Sequence, residues 1–286
     1  MYDFDVLPAR ALDEALELLA EHSDLTVVAG GTDFIPAVRA GVSAPKQVLD
    51  ISGLDELRLI QEVDGGLSIG ALATHAELTA SPLIRRRAAP LALASGHVAG
   101  PQVRNRATLG GNLCNASPAA DTAPALLVLD AEVKLVSAGG ERQIPLADLL
   151  VGPGQTSLEP GELLHSVFVP QSPQGVGTAF RKLGRRRALA CSVVNAAALV
   201  AGDGGTVKEA RLALGAVAPV PIRCSSAETW LTGATWGESL LQGVDERVLE
   251  MVAPIDDVRA SAEYRRATAP VLAREVLNQA WRSRGQ

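Results

Sequence analysis

The chain has 286 residues, long enough for two domains or for one large one. Hydrophobic residues make up 47% and charged residues 20%, ordinary globular composition, and a net charge of −6 with no broad basic face argues against a nucleic-acid partner. Three scattered cysteines (Cys114, Cys191 and Cys224), with no C-x-x-C pair, argue against a disulfide framework and against zinc or iron–sulfur ligation within the chain; a reducing compartment fits them best.

The acidic start, Met1-Tyr2-Asp3-Phe4-Asp5, lacks a signal-peptide core. Residues 12–22 carry Leu12, Ala15, Leu16 and Leu19 at helical spacing with acids between them, which predicts an amphipathic helix. Residues 26–29 predict a short strand that Gly30-Gly31 breaks. Thr32 or Asp33 then caps a helix that starts near Phe34, has Pro36 in its first turn and closes at Gly41. With a strand at Val48-Leu49-Asp50-Ile51, this opening stretch reads as a small α/β unit. Gly65-Gly66 predicts a hairpin turn between Leu59-Ile60 and Leu67-Ser68-Ile69. Ser81-Pro82 opens a helix whose Arg85-Arg86-Arg87 reads as a solvated face; Pro90 ends that helix, and residues 91–95 form the next. Strands are predicted at residues 132–136 and 141–144 around Gly139-Gly140, and at residues 166–169 after turns at residues 152–155 and 159–162. Residues 170–177, rich in Pro, Gly, Gln and Ser, read as a linker.

The longest apolar run, residues 188–202, follows Arg185-Arg186-Arg187 and contains Ser192 and Asn195. It falls short of the roughly 20 residues that a spanning helix needs, so it reads as a buried strand or strand–turn. The expected protein is soluble and cytoplasmic, with no integral membrane segment. Residues 192–200 and 207–214 predict an antiparallel pair joined through Gly202-Asp203-Gly204-Gly205, and residues 258–281 a helical tail. The four histidines, His22, His75, His97 and His165, are dispersed and read as structural or solvent-facing rather than as metal ligands.

The chemistry concentrates at two glycine pairs, each beside a threonine: Thr26-Val27-Val28-Ala29-Gly30-Gly31-Thr32-Asp33-Phe34 and Ala107-Thr108-Leu109-Gly110-Gly111-Asn112. A phosphate needs several converging N–H donors, and glycine lets the backbone approach closely and take positive φ. A helix start behind the turn adds a favourable dipole. Both pairs are therefore expected to be backbone cradles that grip one diphosphate from two sides, and a bulky residue at Gly111 is expected to abolish cofactor retention. Neither G-x-x-x-x-G-K-[ST] nor a Rossmann G-x-G-x-x-G is present. Downstream, Asp121 in Ser117-Pro118-Ala119-Ala120-Asp121 suits the hydroxyls of a sugar or ribityl chain, caps the helix starting near Pro124, or does both; Asn112 is a ligand contact or a turn residue.

These motifs, with Pro101-Gln102-Val103-Arg104-Asn105, Phe180-Arg181-Lys182-Leu183-Gly184-Arg185-Arg186 and residues 257–265, resemble the FAD-binding (medium) subunit of the molybdenum hydroxylase family, the family of xanthine dehydrogenase and aerobic carbon monoxide dehydrogenase. The resemblance covers nearly the whole chain. It implies an α+β fold: an FAD-binding domain of vanillyl-alcohol-oxidase (PCMH) type over residues 1–174, with subdomains of about 1–55 and 56–174, followed by a C-terminal α+β domain over residues 178–286. It further implies that FAD contacts Val27, Val28, Ala29, Gly30, Gly31, Thr32, Asp33 and Phe34, then Thr108, Leu109, Gly110, Gly111 and Asn112. Val98 matches a position beside the flavin and Asp121 the acid that contacts the cofactor. Leu164 and Lys182 match later contacts, with Arg181 the alternative to Lys182; Arg185-Arg186-Arg187 either holds phosphate or a partner, or is a solvated loop.

The function so implied is electron transfer within a complex, where FAD does the chemistry and the protein binds and tunes it. A large partner carries the molybdenum cofactor and a small one carries 2Fe–2S clusters, as a dimer of heterotrimers. Electrons pass through FAD to NAD⁺, O₂ or another acceptor. No catalytic acid, base or nucleophile and no metal site is assigned within this chain. The competing readings are a stand-alone FAD-dependent oxidase or reductase, and a non-catalytic assembly protein. Relatives that reduce aromatic acyl thioesters carry a cluster-bearing insertion that this chain lacks.

Overall fold

The computed structural model describes residues 4–186 and 190–285. The first unit is a small parallel sheet with helices: β1 (Asp5–Pro8), α1 (Leu12–Glu21), β2 (Thr26–Val28), α2 (Phe34–Arg39) and β3 (Gln47–Asp50), in strand order β1-β3-β2. Ala15, Leu16 and Leu19 form the buried stripe of α1 and pack with Leu49, Ile51 and Leu54, while Asp13, Glu14 and Glu17 stay in water. Gly41, in the left-handed region at φ 69°, terminates α2 as expected. The expected cap at the other end is not formed. Asp33 occupies the N-cap position, but its backbone is already helical (φ −102°, ψ −37°), and neither its carboxylate nor the Thr32 hydroxyl accepts from the helix. A capping side chain reaches back only from an extended backbone.

A 3-10 turn (Asp55–Arg58) leads into the second unit. The hairpin β4 (Ile60–Val63) and β5 (Gly66–Gly70) turns at Asp64-Gly65, with Gly65 at φ 78°. Six short helices follow: α3 (His75–Ala80), α4 (Pro82–Arg87), α5 (Ala89–His97), α6 (Pro101–Arg104), α7 (Leu109–Cys114) and α8 (Thr122–Leu127). Then come β6 (Glu132–Ser137), β7 (Gly140–Pro145), α9 (Leu146–Leu149), β8 (Leu150–Gly152), β9 (Gln155–Thr156) and β10 (Leu163–Pro170). The antiparallel sheet runs β4-β5-β10-β6-β7, with β10 at its centre. Ser81 caps α4 as expected, but α4 stops at Arg87, and Pro90 sits in the first turn of α5 instead of ending α4. In a first turn the missing N–H of proline leaves nothing unsatisfied. The arginines of α4 form a solvated face: Arg86 and Arg87 reach Glu62 on β4 at 3.0 and 2.9 Å.

The third unit is the antiparallel sheet β11 (Gly177–Gly184), β12 (Ser192–Asp203), β13 (Thr206–Gly215) and β14 (Ile222–Arg223), with α10 (Ser225–Leu231), α11 (Glu238–Met251) and α12 (Ala262–Arg282). Ala196, Ala198 and Val200 of β12 face those helices, whereas Ala197 and Leu199 join the core of the second unit. A strand buried on both faces reads as a continuous apolar run, which is why this one resembles a membrane segment in sequence. Among the described residues no helix is long and apolar enough to cross a membrane. Ala188 and Leu189 of that run, and Arg187 of the arginine cluster, lie outside the described residues.

Candidate functional site: a glycine turn and a buried inter-unit ion pair

Val27 and Val28 lie on β2, and the chain that leaves it turns sharply at Gly31, whose φ of 70° lies in the left-handed region that favours glycine and strongly disfavours β-branched residues. Among the described residues, the amides of Gly30, Gly31, Thr32 and Asp33 donate to no acceptor in the chain. Four successive free donors around a left-handed residue make a concave anion cradle. Ala29 and Thr32 are half-buried, Asp33 is exposed, and Phe34 begins α2 with its ring edge-on to Phe4 at 5.6 Å. Gly30 has a second role: a Cβ there would stand 2.0 Å from the Arg106 carbonyl oxygen. The turn is thus packed backbone to backbone against the segment that leads into the second glycine pair.

That second pair differs from the expected cradle. Gly110 and Gly111 lie inside the first turn of α7, not in a turn before it, and neither has positive φ. Their amides are already engaged. Leu109 donates to Ala73 O (2.9 Å), Gly110 to Ala71 O (2.7 Å), Gly111 to the capping Thr108 Oγ1 (3.1 Å) and Asn112 to Thr108 O (3.0 Å). Gly110 is required by packing, since a Cβ would meet the Ala71 Cβ at 2.7 Å. What this segment can offer a ligand is the Thr108 and Asn112 side chains and the bare, exposed surface at Gly111.

The remaining candidates converge on a buried polar cluster between the second and third units. Asp121 stands at the N-cap position of α8 but gives no cap bond, because its backbone is helical (φ −76°, ψ −31°) and both carboxylate oxygens are used elsewhere. Its Oδ2 accepts from Lys182 Nζ. Its Oδ1 accepts from Ser192 Oγ at 2.6 Å and Asn195 Nδ2 at 2.8 Å. Lys182 also donates to the His97 carbonyl at 3.0 Å, one residue before Val98. The Val98 carbonyl in turn accepts from Arg104 Nη1 at 2.9 Å, and Ala99 beside it is held at φ 38°. Asn112 accepts from the Thr122 hydroxyl, which ties α7 to the same cluster. Burial first, and then the Lys182 charge beside it, holds His97 below its ordinary range, so the ring stays neutral.

Consecutive strand residues face opposite ways, and β11 shows it: Arg181 is exposed, 3.8 Å from Glu275 of α12, while Lys182 turns inward to Asp121. Leu164 stands apart from the cluster, its side chain buried in the core on β10 opposite Leu135. Arg185 donates to the Val258 carbonyl at 3.0 Å. Sequence reasoning missed three residues of the site. Arg104 lies within Pro101-Gln102-Val103-Arg104-Asn105 with no chemistry evident from the sequence, and Ser192 and Asn195 read only as polar interruptions of an apolar run. That interruption was their one signal. Among the described residues no His, Cys, Asp or Glu group is arranged to hold a metal.

A family model described as the FAD binding domain in molybdopterin dehydrogenase matches residues 2–172, and one described as the CO dehydrogenase flavoprotein C-terminal domain matches residues 178–280. This chain belongs to the FAD-binding subunit family of the molybdopterin dehydrogenases. It is 37% identical over 283 residues to a putative xanthine dehydrogenase FAD-binding subunit of Escherichia coli K12, covering 98% of this chain and 97% of that one. It is 36% identical over 279 residues to the 6-hydroxypseudooxynicotine dehydrogenase complex subunit alpha of Paenarthrobacter nicotinovorans, covering 97% and 94%. A carbon monoxide dehydrogenase of Hydrogenophaga pseudoflava superposes with a TM-score of 0.96 at 31% identity, over 99% of each chain. The fold is accordingly the α+β arrangement of the family, an FAD-binding domain of two subdomains followed by a C-terminal α+β domain, and the chain is a flavoprotein subunit of an oxidoreductase.

The donor set fits FAD. The Gly30–Asp33 amides suit a diphosphate, and the Asp121 carboxylate with the one remaining donor of Lys182 suits a ligand rich in hydroxyls and ring acceptors. The expected second amide cradle is not part of that fit.

Proposed function

We propose that this chain is the FAD-binding electron-transfer subunit of a heterotrimeric molybdenum hydroxylase. It takes electrons from 2Fe–2S clusters in a small partner and passes them to NAD⁺, O₂ or another acceptor, while a large partner holds the molybdenum cofactor. The assembly is a dimer of such trimers in the cytoplasm, a location consistent with the free thiols of Cys114, Cys191 and Cys224. Bound FAD supplies both one- and two-electron redox chemistry, which suits a junction between single-electron clusters and a two-electron acceptor.

The observation that carries this reading is the Gly30–Asp33 turn, with four unclaimed amides, pressed through Gly30 against the Arg106–Ala107 backbone. Residues 1–174 then serve as the FAD-binding domain, with subdomains of about 1–55 and 56–174, and residues 178–286 as the C-terminal domain. In this assignment the Val27, Val28, Ala29, Gly30, Gly31, Thr32, Asp33 and Phe34 segment holds the diphosphate. Thr108 and Asn112 bound it from the other side through their side chains and Gly111 through its bare surface, with Leu109 and Gly110 packed behind them. Val98, Asp121 and Lys182 serve the rest of the cofactor, while Leu164 packs in the core of the sheet. Lys182 is preferred to Arg181 because it faces Asp121, whereas Arg181 faces Glu275.

Two measurements test the proposal. Gly31→Val forbids the left-handed turn, so the complex carrying it should purify without the visible flavin absorbance of the wild type; a fully yellow variant overturns the cradle. Purification from the native host should bring down a larger and a smaller chain with this one. A yellow chain that purifies alone favours the stand-alone oxidoreductase, and a chain that never acquires flavin favours an assembly protein.

A further inference from the structure

We infer that Ser192 and Asn195 are positioning residues of the cofactor site: from the C-terminal sheet they fix the Asp121 carboxylate and, through it, hold Lys182 beside the His97-Val98 turn. The inference rests on the reading that FAD binds against Asp121 and Lys182.

The strand register builds this arrangement. Lys182 of β11 is directly opposite Asn195 of β12, so the two side chains share a face. Leu183 pairs with Val194, and the register then skips Val193 to pair Gly184 with Ser192. Without that bulge Ser192, an odd number of residues from Asn195, would point to the helices α10–α12. With it, Ser192 joins Asn195, and Asn195 Nδ2 donates to Ser192 Oγ at 3.2 Å. Bulges re-aim single side chains in this way and are over-represented next to active sites. Room for the pair comes from β13: opposite Asn195 stands Gly215, where a Cβ would lie 2.2 Å from Asn195 Oδ1. Three local features, a bulge, a glycine and a polar pair in an otherwise apolar strand, thus coincide on one carboxylate.

The energetics give these features a purpose. Ser192 and Asn195 are wholly buried and Asp121 is 6% exposed. Asp121 Oδ1, stripped of the Ser192 and Asn195 donors, would be a half-solvated anion in a dry site, free to rotate away from Lys182. An ammonium has three donors. Two of those on Lys182 go to Asp121 Oδ2 and to the His97 carbonyl, which leaves one for a ligand acceptor beside Val98. The carboxylate sets where that last proton is presented, and Ser192 and Asn195 set the carboxylate.

The test uses the assembled complex with Ser192→Ala and, separately, Asn195→Ala. Each removes one of two donors to the same charged oxygen, so each should weaken FAD affinity about tenfold, read by recovery of free-flavin fluorescence. Each should also move the reduction potential of the bound flavin to more negative values, because a cation no longer held in place stabilises the electron-rich form less. Ser192→Thr keeps the hydroxyl and should restore both quantities. A purely structural role would change the melting temperature and leave the potential alone. Wild-type affinity and potential in either assembled alanine variant overturn the inference, as does an affinity loss in Ser192→Ala that Ser192→Thr fails to restore. If one alanine variant does not assemble, the other decides. A wild-type complex that binds FAD while Gly31→Val does not, alongside unaffected Ser192 and Asn195 variants, refutes this inference alone; FAD retained by Gly31→Val refutes the cofactor reading beneath it.

Discussion

His75 is the residue whose chemistry is least explained by its neighbours. It opens α3, it is wholly buried, and neither ring nitrogen has a partner among the described residues. Burial, with the Arg104 charge adding to it, pushes its pKa from 6.5 to about 4. The folded protein therefore holds the ring neutral while the unfolded chain takes up a proton below its ordinary pKa. The stability that depends on a neutral ring is complete above pH 6.5 and is lost as pH falls towards 4. The loss amounts to about 3 kcal/mol across that window. His97 and His165 are also depressed by burial and act in the same direction, so the contrast with a single variant isolates His75. His75→Leu removes the linkage together with two unsatisfied nitrogens. Its urea midpoint should match or exceed the wild type at neutral pH and fall less on acidification. Parallel curves for the two proteins would show that His75 finds a partner in solution.

At the scale of elements, α7 makes the clearest prediction because two adjacent glycines do different work. Gly110 faces Ala71 at a distance that admits no side chain, whereas the exposed Gly111 meets only the Thr108 hydroxyl, 2.9 Å from where a Cβ would stand. Gly110→Ala should lift α7 off the turn after β5, lower the melting temperature and loosen FAD, at a cost of about 1–3 kcal/mol. Gly111→Ala should stay within about 1 kcal/mol of the wild type, since alanine is the better helix former but its Cβ crowds the Thr108 hydroxyl that caps the Gly111 amide. Gly111→Leu should keep that stability and lose flavin, because it alone puts bulk on the exposed surface; if it stays yellow, that surface does not meet FAD. The same helix shows where sequence reading stops. The amphipathic α1, the Gly65 hairpin, the β12–β13 pair and the free-amide turn at Gly31 were legible, since periodicity and turn chemistry are local. Gly110-Gly111 read as a turn because the contact that makes them helical is with Ala71, far back in the chain. The Asp121 partners were illegible for a similar reason: one skipped residue at Val193 decides which way Ser192 points, and register is set by the neighbouring strand. The caps at Asp33 and Asp121 failed because residue type was right and backbone conformation was not.

For the whole molecule the question is whether the C-terminal sheet is an appendage or part of the flavoprotein body. Its contacts argue for the latter. Phe180, Ala197, Leu199 and Ala213 belong to the same core as Leu109, Leu126 and Val167, so one apolar interior spans both sides of the largely exposed connection at residues 171–176. Charged groups close the rim of that joint. Asp130, in the turn after α8 at φ 50°, meets Arg223 at 2.6 Å and Arg211 at 2.7 Å, while Arg223 also donates to Leu127 O at 2.9 Å. Asp130 is half-exposed, so this network contributes only about 1 kcal/mol, and burial of the shared core dominates. The chain should consequently melt in one calorimetric transition, and a fragment ending at residue 174 should aggregate, having uncovered the face of α8 and its neighbours. Asp130→Asn tolerates the left-handed backbone but drops the charge; it should lower the melting temperature slightly without splitting the transition. Two resolved transitions in the intact chain would mean that the interior is divided after all. The Asp121–Lys182 pair would then join two bodies free to move, and the geometry of the cofactor site would depend on how they dock.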